Sequence, residues 1–442
     1  MSAMLAESRP AETTAVVETR RGERKRVVII GGGFAGIAAA HALRHADADV
    51  LLIDRRNHHI FQPLLYQVAT AVLSPAEIAA PIRQLEAKQQ NVTVLLAEVT
   101  GVEVASRTIE VASPGGARKI AFDYLVVATG MRPNYFGHDE FARYAPGLKN
   151  LGDAETIRAK ILGAFELAAM TEDEGERARQ MTFVLVGAGA TGVELAGSLA
   201  GLVQVTLRGN FRRIDPSKST IILLDAGNRV LPTFAEPLSR RVTRRLTKLG
   251  VKVLTGVKVE TVDEQGVVAG GRRIPSATVV WTAGVAASPI PRMLGTKTDR
   301  AGRALVDPFL KVVEAPGVFV AGDAASIMQN GHPVPGVAQA AIQEGRYVGQ
   351  LIASEVKGRE VKRPFHYFDK GNMAVVGKNY AVLERGSLRT GGFLTWLAWA
   401  FVHILSLPQL QNRLRVQRQW LWSYFTGQRS SRLIPETYGP DH

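Results

Sequence analysis

The sequence predicts an α/β fold: two Rossmann-like dinucleotide-binding domains, the second inserted into the first, followed by a C-terminal amphipathic helical membrane anchor. Three observations carry that expectation. A strand-like run ending in GGGFAG at residues 26–36 returns as FVLVGAGATG at residues 183–192. YLVVATG (124–130) is echoed by TVVWTAG (278–284) at an offset of 154, against 156 for the first glycines of the two loops. Finally, FLTWLAWAFVHILSL (393–407) is apolar over a stretch too short to cross a bilayer.

Bulk composition narrows the chemistry. The 442 residues leave room for two or three domains, and the chain has no cysteine. Disulfides, thiolate metal ligands and cysteine redox chemistry are therefore excluded, and no metal site is expected. Net charge is +14, and seven arginines fall between Arg385 and Pro435 with no Lys, Asp or Glu among them. Such a basic region suits nucleic acid or an anionic lipid surface. No zinc-finger spacing or RNA-binding signature accompanies it, so no nucleic acid partner is expected. Residues 1–25 mix acids with arginines and lack an apolar run, which excludes a secretory signal and predicts a disordered extension. The expected first domain covers 26–150 and 296–385, the second 151–295, and the membrane-association helices 386–442.

The first glycine loop, Gly31, Gly33 and Gly36, has the G-x-G-x-x-G spacing, and the helical composition of IAAAHAL follows it. The first glycine makes the turn, the second admits a pyrophosphate, and the third lets helix pack on strand. Phosphates then sit on the amides of the helix N-terminus. Asp54, 23 residues after Gly31, ends the VLLID run and is placed to hold a ribose hydroxyl. In the second copy, Gly187, Gly189 and Gly192 lead to Asp225, 38 residues after Gly187. The extra length lies in GLVQVTLRGNFRRIDPSKS, read as a helix end plus a loop.

GVFVAGDAAS (317–326) can return to the first domain after the inserted one and put Asp323 against a flavin ribityl chain. The first domain is therefore expected to hold non-covalent FAD and the second NADH. Beside the loop residues Gly31, Gly32, Gly33, Phe34, Ala35 and Gly36, the expected FAD contacts are Asp54, Arg55, Gln62 and Val99. Ala128, Thr129 and Gly130, then Gly322 and Asp323, follow in that set. For NADH they are Gly187, Gly189, Ala190, Thr191, Gly192, Glu194, Asp225, Ala226, Ala283 and Gly284. A carboxylate at Asp225 repels a 2′-phosphate and favours NADH over NADPH. Hydride transfer needs close stacking and a dry site, not a catalytic triad. The adjacent His58 and His59 are expected in hydrogen-bonding or surface roles.

Without cysteines, the electron acceptor is a quinone, a small iron–sulfur or haem protein, or oxygen. The tail favours a quinone. Twelve of the fifteen residues at 393–407 are apolar, Pro408 ends the run, and QNRLRVQRQWLWSYF then mixes arginines with aromatics. Four of the five tryptophans (Trp396, Trp399, Trp420 and Trp422) lie in this tail, as suits a helix in the interface plane.

With GGGFAG, HIFQPLLYQVATAVLSPAEIA (59–79), GAGATGVELAG, NFRRIDP, AGDAA, VPGVAQAAIQEG (334–345) and FDKGNMAVVGK (368–378), residues 26–435 resemble the type II NADH:quinone oxidoreductases, single-subunit NADH dehydrogenases that do not pump protons. The resemblance implies a quinone pocket lined by the A-Q-x-x-x-Q motif, hence Gln339 and Gln343. It implies a catalytic glutamate at Glu194 and a lysine, Lys370, near flavin and quinone, and it adds Ala338, Gln339, Ala341 and Lys370 to the expected FAD contacts. Family members often carry Glu where this chain has Asp225. The implied partners are a quinone (ubiquinone or menaquinone), the membrane lipid surface through the tail, and a second copy in a homodimer. The implied location is peripheral (monotopic) on the cytoplasmic side of a bacterial cell inner membrane. Two other readings stay open: a soluble NADH-dependent reductase of a ferredoxin-like carrier, and a flavin-bound interaction protein docked through its basic tail.

Overall fold

A computed structural model describes residues 16–18 and 24–434. Along the chain run β1 (Lys25–Ile30), α1 (Phe34–Ala42), β2 (Ala48–Asp54), α2 (Leu65–Ala69), β3 (Val92–Leu96) and β4 (Tyr124–Val127). Next come β5 (Thr182–Val186), α3 (Ala190–Gly201), β6 (Thr220–Asp225), α4 (Glu236–Lys248), β7 (Val251–Thr255) and β8 (Thr278–Trp281). The last are β9 (Val318–Val320), α5 (Ala338–Val356), β10 (Asn372–Val375), β11 (Ala381–Arg385), β12 (Leu388–Gly392), α6 (Phe393–Ser406) and α7 (Leu410–Thr426).

The chain forms two compact units. The first contains the segment ending at Asn57, Ile82–Gly130 and Ala287–Tyr367; the second contains His58–Pro81, Met131–Ala286 and the chain from Phe368 onward. In the first, a five-stranded sheet runs β9-β4-β1-β2-β3 with every pairing parallel. In the second, four parallel strands run β7-β6-β5-β8. The two orders match strand for strand around the glycine-loop strand, β1 or β5. The sequence echo is therefore an echo of topology. Both loop strands are apolar runs, with Val27, Val28 and Ile29 or Phe183, Val184 and Leu185 sealed from solvent, as befits parallel strands covered on both faces. The long spacing before Asp225 is a π-type turn at Leu202–Thr206 that prolongs α3, then a loop with a short 3₁₀ turn at Pro216–Lys218.

These bounds differ from the expected ones. Residues 58–81, 131–150, 287–295 and 368–385 change sides, and the described part of the expected 386–442 segment, 386–434, groups with the second unit. The cause is packing. Asn412 of α7 donates to the carbonyls of Ala76, Glu77 and Ala79, and Thr395, Trp399, Asn412 and Val416 are buried. One face of the tail thus needs protein against it. Of the expected disordered extension over 1–25, Val16–Glu18 is a short strand, paired in parallel with Arg118–Ile120, and β1 begins at Lys25. Residues 1–15 and 19–23 lie outside the described residues.

In the first unit α1 and α5 cross in close contact. A Cβ on Gly345 would collide with the Ala35 carbonyl, and one on Gly349 would come within 2.6 Å of the Ala39 oxygen. This approach lays the start of α5 beside the glycine loop. Gly345→Ala should cost about 1–3 kcal/mol through overpacking and lower Tm by several degrees. Thermal unfolding followed by circular dichroism measures this; an unchanged Tm would contradict the close crossing.

Candidate active site

Each unit carries a cradle for a nucleotide diphosphate, and each cradle is built the same way. Gly31 (φ +109°) and Gly187 (φ +105°) make the turn. A Cβ on Gly31 would clash with the Ala128 carbonyl, and one on Gly187 would lie 2.5 Å from the Ala283 nitrogen. On Gly36 or Gly192 it would strike the carbonyl of the loop's own first glycine. Gly33 and Gly189 are different: a Cβ there would have no protein atom within 4 Å. The chain itself demands the first and third glycines. The middle one leaves room for the close approach of an external group, and both cap helices, α1 and α3, whose free amides attract anions.

One carboxylate braces each cradle. Asp54 accepts hydrogen bonds from the Gly32 amide at 2.7 Å and the Arg56 amide at 2.8 Å. Asp225 accepts from the Ala188 amide at 2.5 Å and the Gly227 amide at 2.6 Å. The two acids are thus loop braces as well as candidate ribose acceptors. In the second unit Thr282, which sequence reasoning missed, adds a further tie by donating to the carbonyls of Val186 and Gly187. Ala190, Thr191 and Ala226 lie on the exposed rim of that cradle. Arg229 is turned away to the Pro232 carbonyl at 2.8 Å.

In the first unit Gly322 sits against the loop: a Cβ there would lie 3.1 Å from the Ala35 Cβ and 3.4 Å from that of Ala341. Ala128, Thr129, Gly130, Gly322, Asp323, Ala338 and Ala341 are all carried by this unit. Thr129 shares a hydrogen bond with Ser288 at 2.6 Å. Arg55 is exposed and pairs at 3.6 Å with Glu98, next to Val99. Gln339 and Gln343 are half-buried one helical turn apart on α5.

Glu344, beside them, went unrecognised as a site residue. It is 3% exposed, and its carboxylate accepts from the Gly322 amide at 2.6 Å. Burial pushes its pKa up to about 8, against the pull of that amide and with a push from Asp323. The available signal was an acid at helical spacing among the small buried residues of α5, Ala340, Ala341, Gly345 and Val348.

The second unit holds Glu194, on the second turn of α3. Burial raises its carboxyl to about 8, offset in part by a long hydrogen bond from the Val375 amide at 3.4 Å. Tyr66 of α2 lies near enough to feel the Glu194 charge, and its phenol is pushed well above its ordinary value, first by burial and then by that charge. Gln62 and Lys370, expected against FAD, belong to segments of this second unit. Gln62 donates to the Lys149 carbonyl at 3.4 Å, and Lys370 occupies the Asp369–Gly371 turn that enters β10.

The family model of the pyridine nucleotide-disulphide oxidoreductases matches residues 25–345. The type II NADH:quinone oxidoreductase NdhA of Mycobacterium tuberculosis is 44% identical to this chain, over 93% of it and 90% of the relative. The type II enzyme Ndh of the same organism is 43% identical over 93% and 91%. Among solved structures, NDH2 of Plasmodium falciparum in complex with NADH superposes with a TM-score of 0.83 at 20% identity, over 94% of this chain and all of that one. The disulphide in the first family's description has no counterpart in a chain without cysteine.

The two middle glycines offer a test of the cradles. Gly33→Ala should fold normally yet purify with FAD content reduced severalfold, because only a bound group meets the added methyl. Gly189→Ala should keep its flavin and raise the KM for NADH by about tenfold, roughly 1.4 kcal/mol of lost contact. Flavin absorbance per chain and steady-state kinetics read these effects, and a Gly189→Ala protein that lost FAD instead would reverse the assignment.

Proposed function

The chain belongs to the family of the type II NADH:quinone oxidoreductases, and from that premise we infer that it moves two electrons from NADH through FAD to a membrane quinone without pumping protons. The observation that carries this reading is the twice-built cradle, each copy with its own acid brace, in a chain whose lack of cysteine removes dithiol acceptors. The groups present fit both nucleotides: an open approach at Gly33 and Gly189, helix N-termini, and carboxylates at the strand ends. FAD, once bound, supplies the carrier that accepts a hydride and releases electrons to the acceptor.

The Gly31–Gly36 loop, Asp54 and Asp323 hold FAD in the first unit. Gly187–Gly192 and Asp225 hold NADH in the second, and the Asp225 carboxylate disfavours a 2′-phosphate. Gln339 and Gln343, one turn apart, offer neutral amides to the quinone carbonyls. Glu194, with its pKa near 8, keeps a proton at neutral pH and serves as the acid that delivers it; Lys370 assists at the second carbonyl or the reduced flavin.

The tail docks on the bilayer. Leu394, Leu397, Phe401 and Leu405 form an exposed stripe on α6, and Leu410, Leu414, Leu421 and Phe425 form one on α7; Leu394 and Phe425 are each 79% exposed. The exposed Arg415 and Arg418 accompany the second stripe, as anionic headgroups require. At 14 residues α6 is roughly 21 Å long, and among the described residues no helix is long and apolar enough to cross a membrane. The enzyme thus lies on one leaflet, the cytoplasmic face of a bacterial inner membrane, as a two-fold pair with both tails down. A soluble carrier reductase would leave these stripes without an occupant.

Glu194→Gln should lower quinone-dependent NADH oxidation by about 10². In the unaltered enzyme, turnover should fall as pH rises through about 8, where Glu194 loses its proton, and the variant should lack that limb. Leu397→Glu with Phe401→Glu should abolish flotation with vesicles containing anionic lipid and lower the ratio of long-tailed to short quinone turnover at least severalfold. Full flotation of that double variant would exclude α6 as the docking element.

A further inference from the structure

Arg429 contradicts the picture of a tail whose arginines all face lipid. It is 8% exposed, and its guanidinium donates to the Thr70 carbonyl at 2.7 Å and the Ser198 carbonyl at 2.9 Å. Burial pulls its pKa down to about 9. Among the described residues no carboxylate pairs with it. A lipid-facing arginine keeps its head in water, whereas a guanidinium sealed in protein carries a desolvation cost that only good geometry offsets. Such a cost is sustained where the contact holds something in place.

What it holds is the joint between α2 and α3. Thr70 and Ser198 themselves share a hydrogen bond at 2.7 Å across that joint. One helical turn before Ser198 stands Glu194, and one turn before Thr70 stands Tyr66. A second tie from the tail reaches the same helix: Trp420 donates to Gln67 at 2.7 Å, and Gln67 donates to the Tyr66 hydroxyl at 2.9 Å. Two further bonds pin the segment that bears Arg429. Thr206 donates to the Gly427 carbonyl at 2.9 Å, and Lys378 donates to the Tyr424 carbonyl at 2.6 Å.

Glu194 depends on this clamp because little else grips it. Its one hydrogen bond is the 3.4 Å contact from Val375, and it is the only charged residue of α3. Of the elements packed on α3, α2 presents Tyr66, β10 presents the Val375 amide, and β7 carries Lys252, which is exposed. Arg245 of α4 is committed to the carbonyls of Val376 and Lys378. Apart from Asp225 at its tip, which braces the glycine loop, β6 carries no charged residue, and neither does β5. Among the described residues no cation is paired with Glu194. Glu194 is half-buried, and the seating of α2 supplies part of the protein packed around it.

We infer that the segment from Trp420 to Arg429 is a positioning device for the Glu194 carboxyl, with Arg429 as the positioning residue that seats α2 on α3. The inference rests on the role given above to Glu194. The same tail then has an outer face for lipid and an inner face for the catalytic acid, and removing it changes the chemistry as well as the location.

The test uses full-length, FAD-loaded enzyme and a short water-soluble quinone, so that membrane docking does not enter. The pH dependence of kcat is compared for the unaltered enzyme, Glu194→Gln, Arg429→Met, Arg429→Lys and Trp420→Phe. Loosening the joint admits water to Glu194 and lowers its pKa. Arg429→Met should therefore move the limb near pH 8 at least one unit lower, Arg429→Lys should move it less, and Trp420→Phe should move it slightly in the same direction. A lower Tm with the limb unmoved in Arg429→Met means that Arg429 only stabilises the fold, and overturns the inference. Should Arg429→Met fail to fold, Arg429→Lys and Trp420→Phe decide, since an unmoved limb in both overturns it as well. A limb that persists in Glu194→Gln instead removes Glu194 from the role on which the inference stands, a failure recognisable without any Arg429 variant.

Discussion

A single hydrogen-bond pattern, made twice, anchors this molecule: an aspartate at the end of the second strand grips the amide of the residue after the loop's first glycine. Asp54 does this for Gly32, and Asp225 for Ala188. The contact ties the ends of neighbouring parallel strands to the turn between strand and helix. It thereby fixes where the helix N-terminus points, and the open middle glycine with it. Charge-assisted bonds of this kind are worth more than neutral ones, and here each carboxylate spends both oxygens on backbone amides. The nucleotide cradles are therefore rigid before anything binds in them.

Two more carboxyl groups work in the opposite way. Glu344 is buried and Glu194 half-buried, both with few compensating donors, and desolvation by the protein packed around them lifts both to about 8. Asp54 and Asp225 brace as hydrogen-bond acceptors, whereas Glu194 and Glu344 are held toward the protonated form. Quinone reduction consumes protons, and a carboxyl with a pKa near 8 is able to supply one at neutral pH. The tail joins the helices on either side of Glu194 through Arg429, while its outer face carries exposed apolar stripes.

Much of this was legible in sequence for a simple reason. Glycine loops, strand runs and terminal acids are local patterns, and the duplicated offset showed that they belong to one plan. The π-type turn at Leu202–Thr206 fits the helix end and loop inferred from the long spacing to Asp225. Less visible were features made by contact between distant segments. Arg429 counted as one of seven unopposed cations, yet its partners are more than two hundred residues away at Ser198 and farther still at Thr70. Arg389 also proved to be paired, with Glu384 across a strand pair at 3.0 Å. Glu344 was hidden inside a motif whose glutamines drew the attention. Domain limits placed at 150, 295 and 385 missed the crossings of the chain because composition does not change where the chain changes sides.

By itself the sequence determined the duplicated α/β plan, the two cradles, the exclusion of thiol chemistry and an apolar tail too short to span. Those follow from spacing, residue type and length, which are properties of the chain before it folds. Tertiary structure decided which face of the tail is buried, which arginine is structural and which carboxyls are dry enough to keep a proton near neutrality. Desolvation is the reason: the cost of a charge depends on what surrounds it in space, and segments far apart in the chain supply those surroundings.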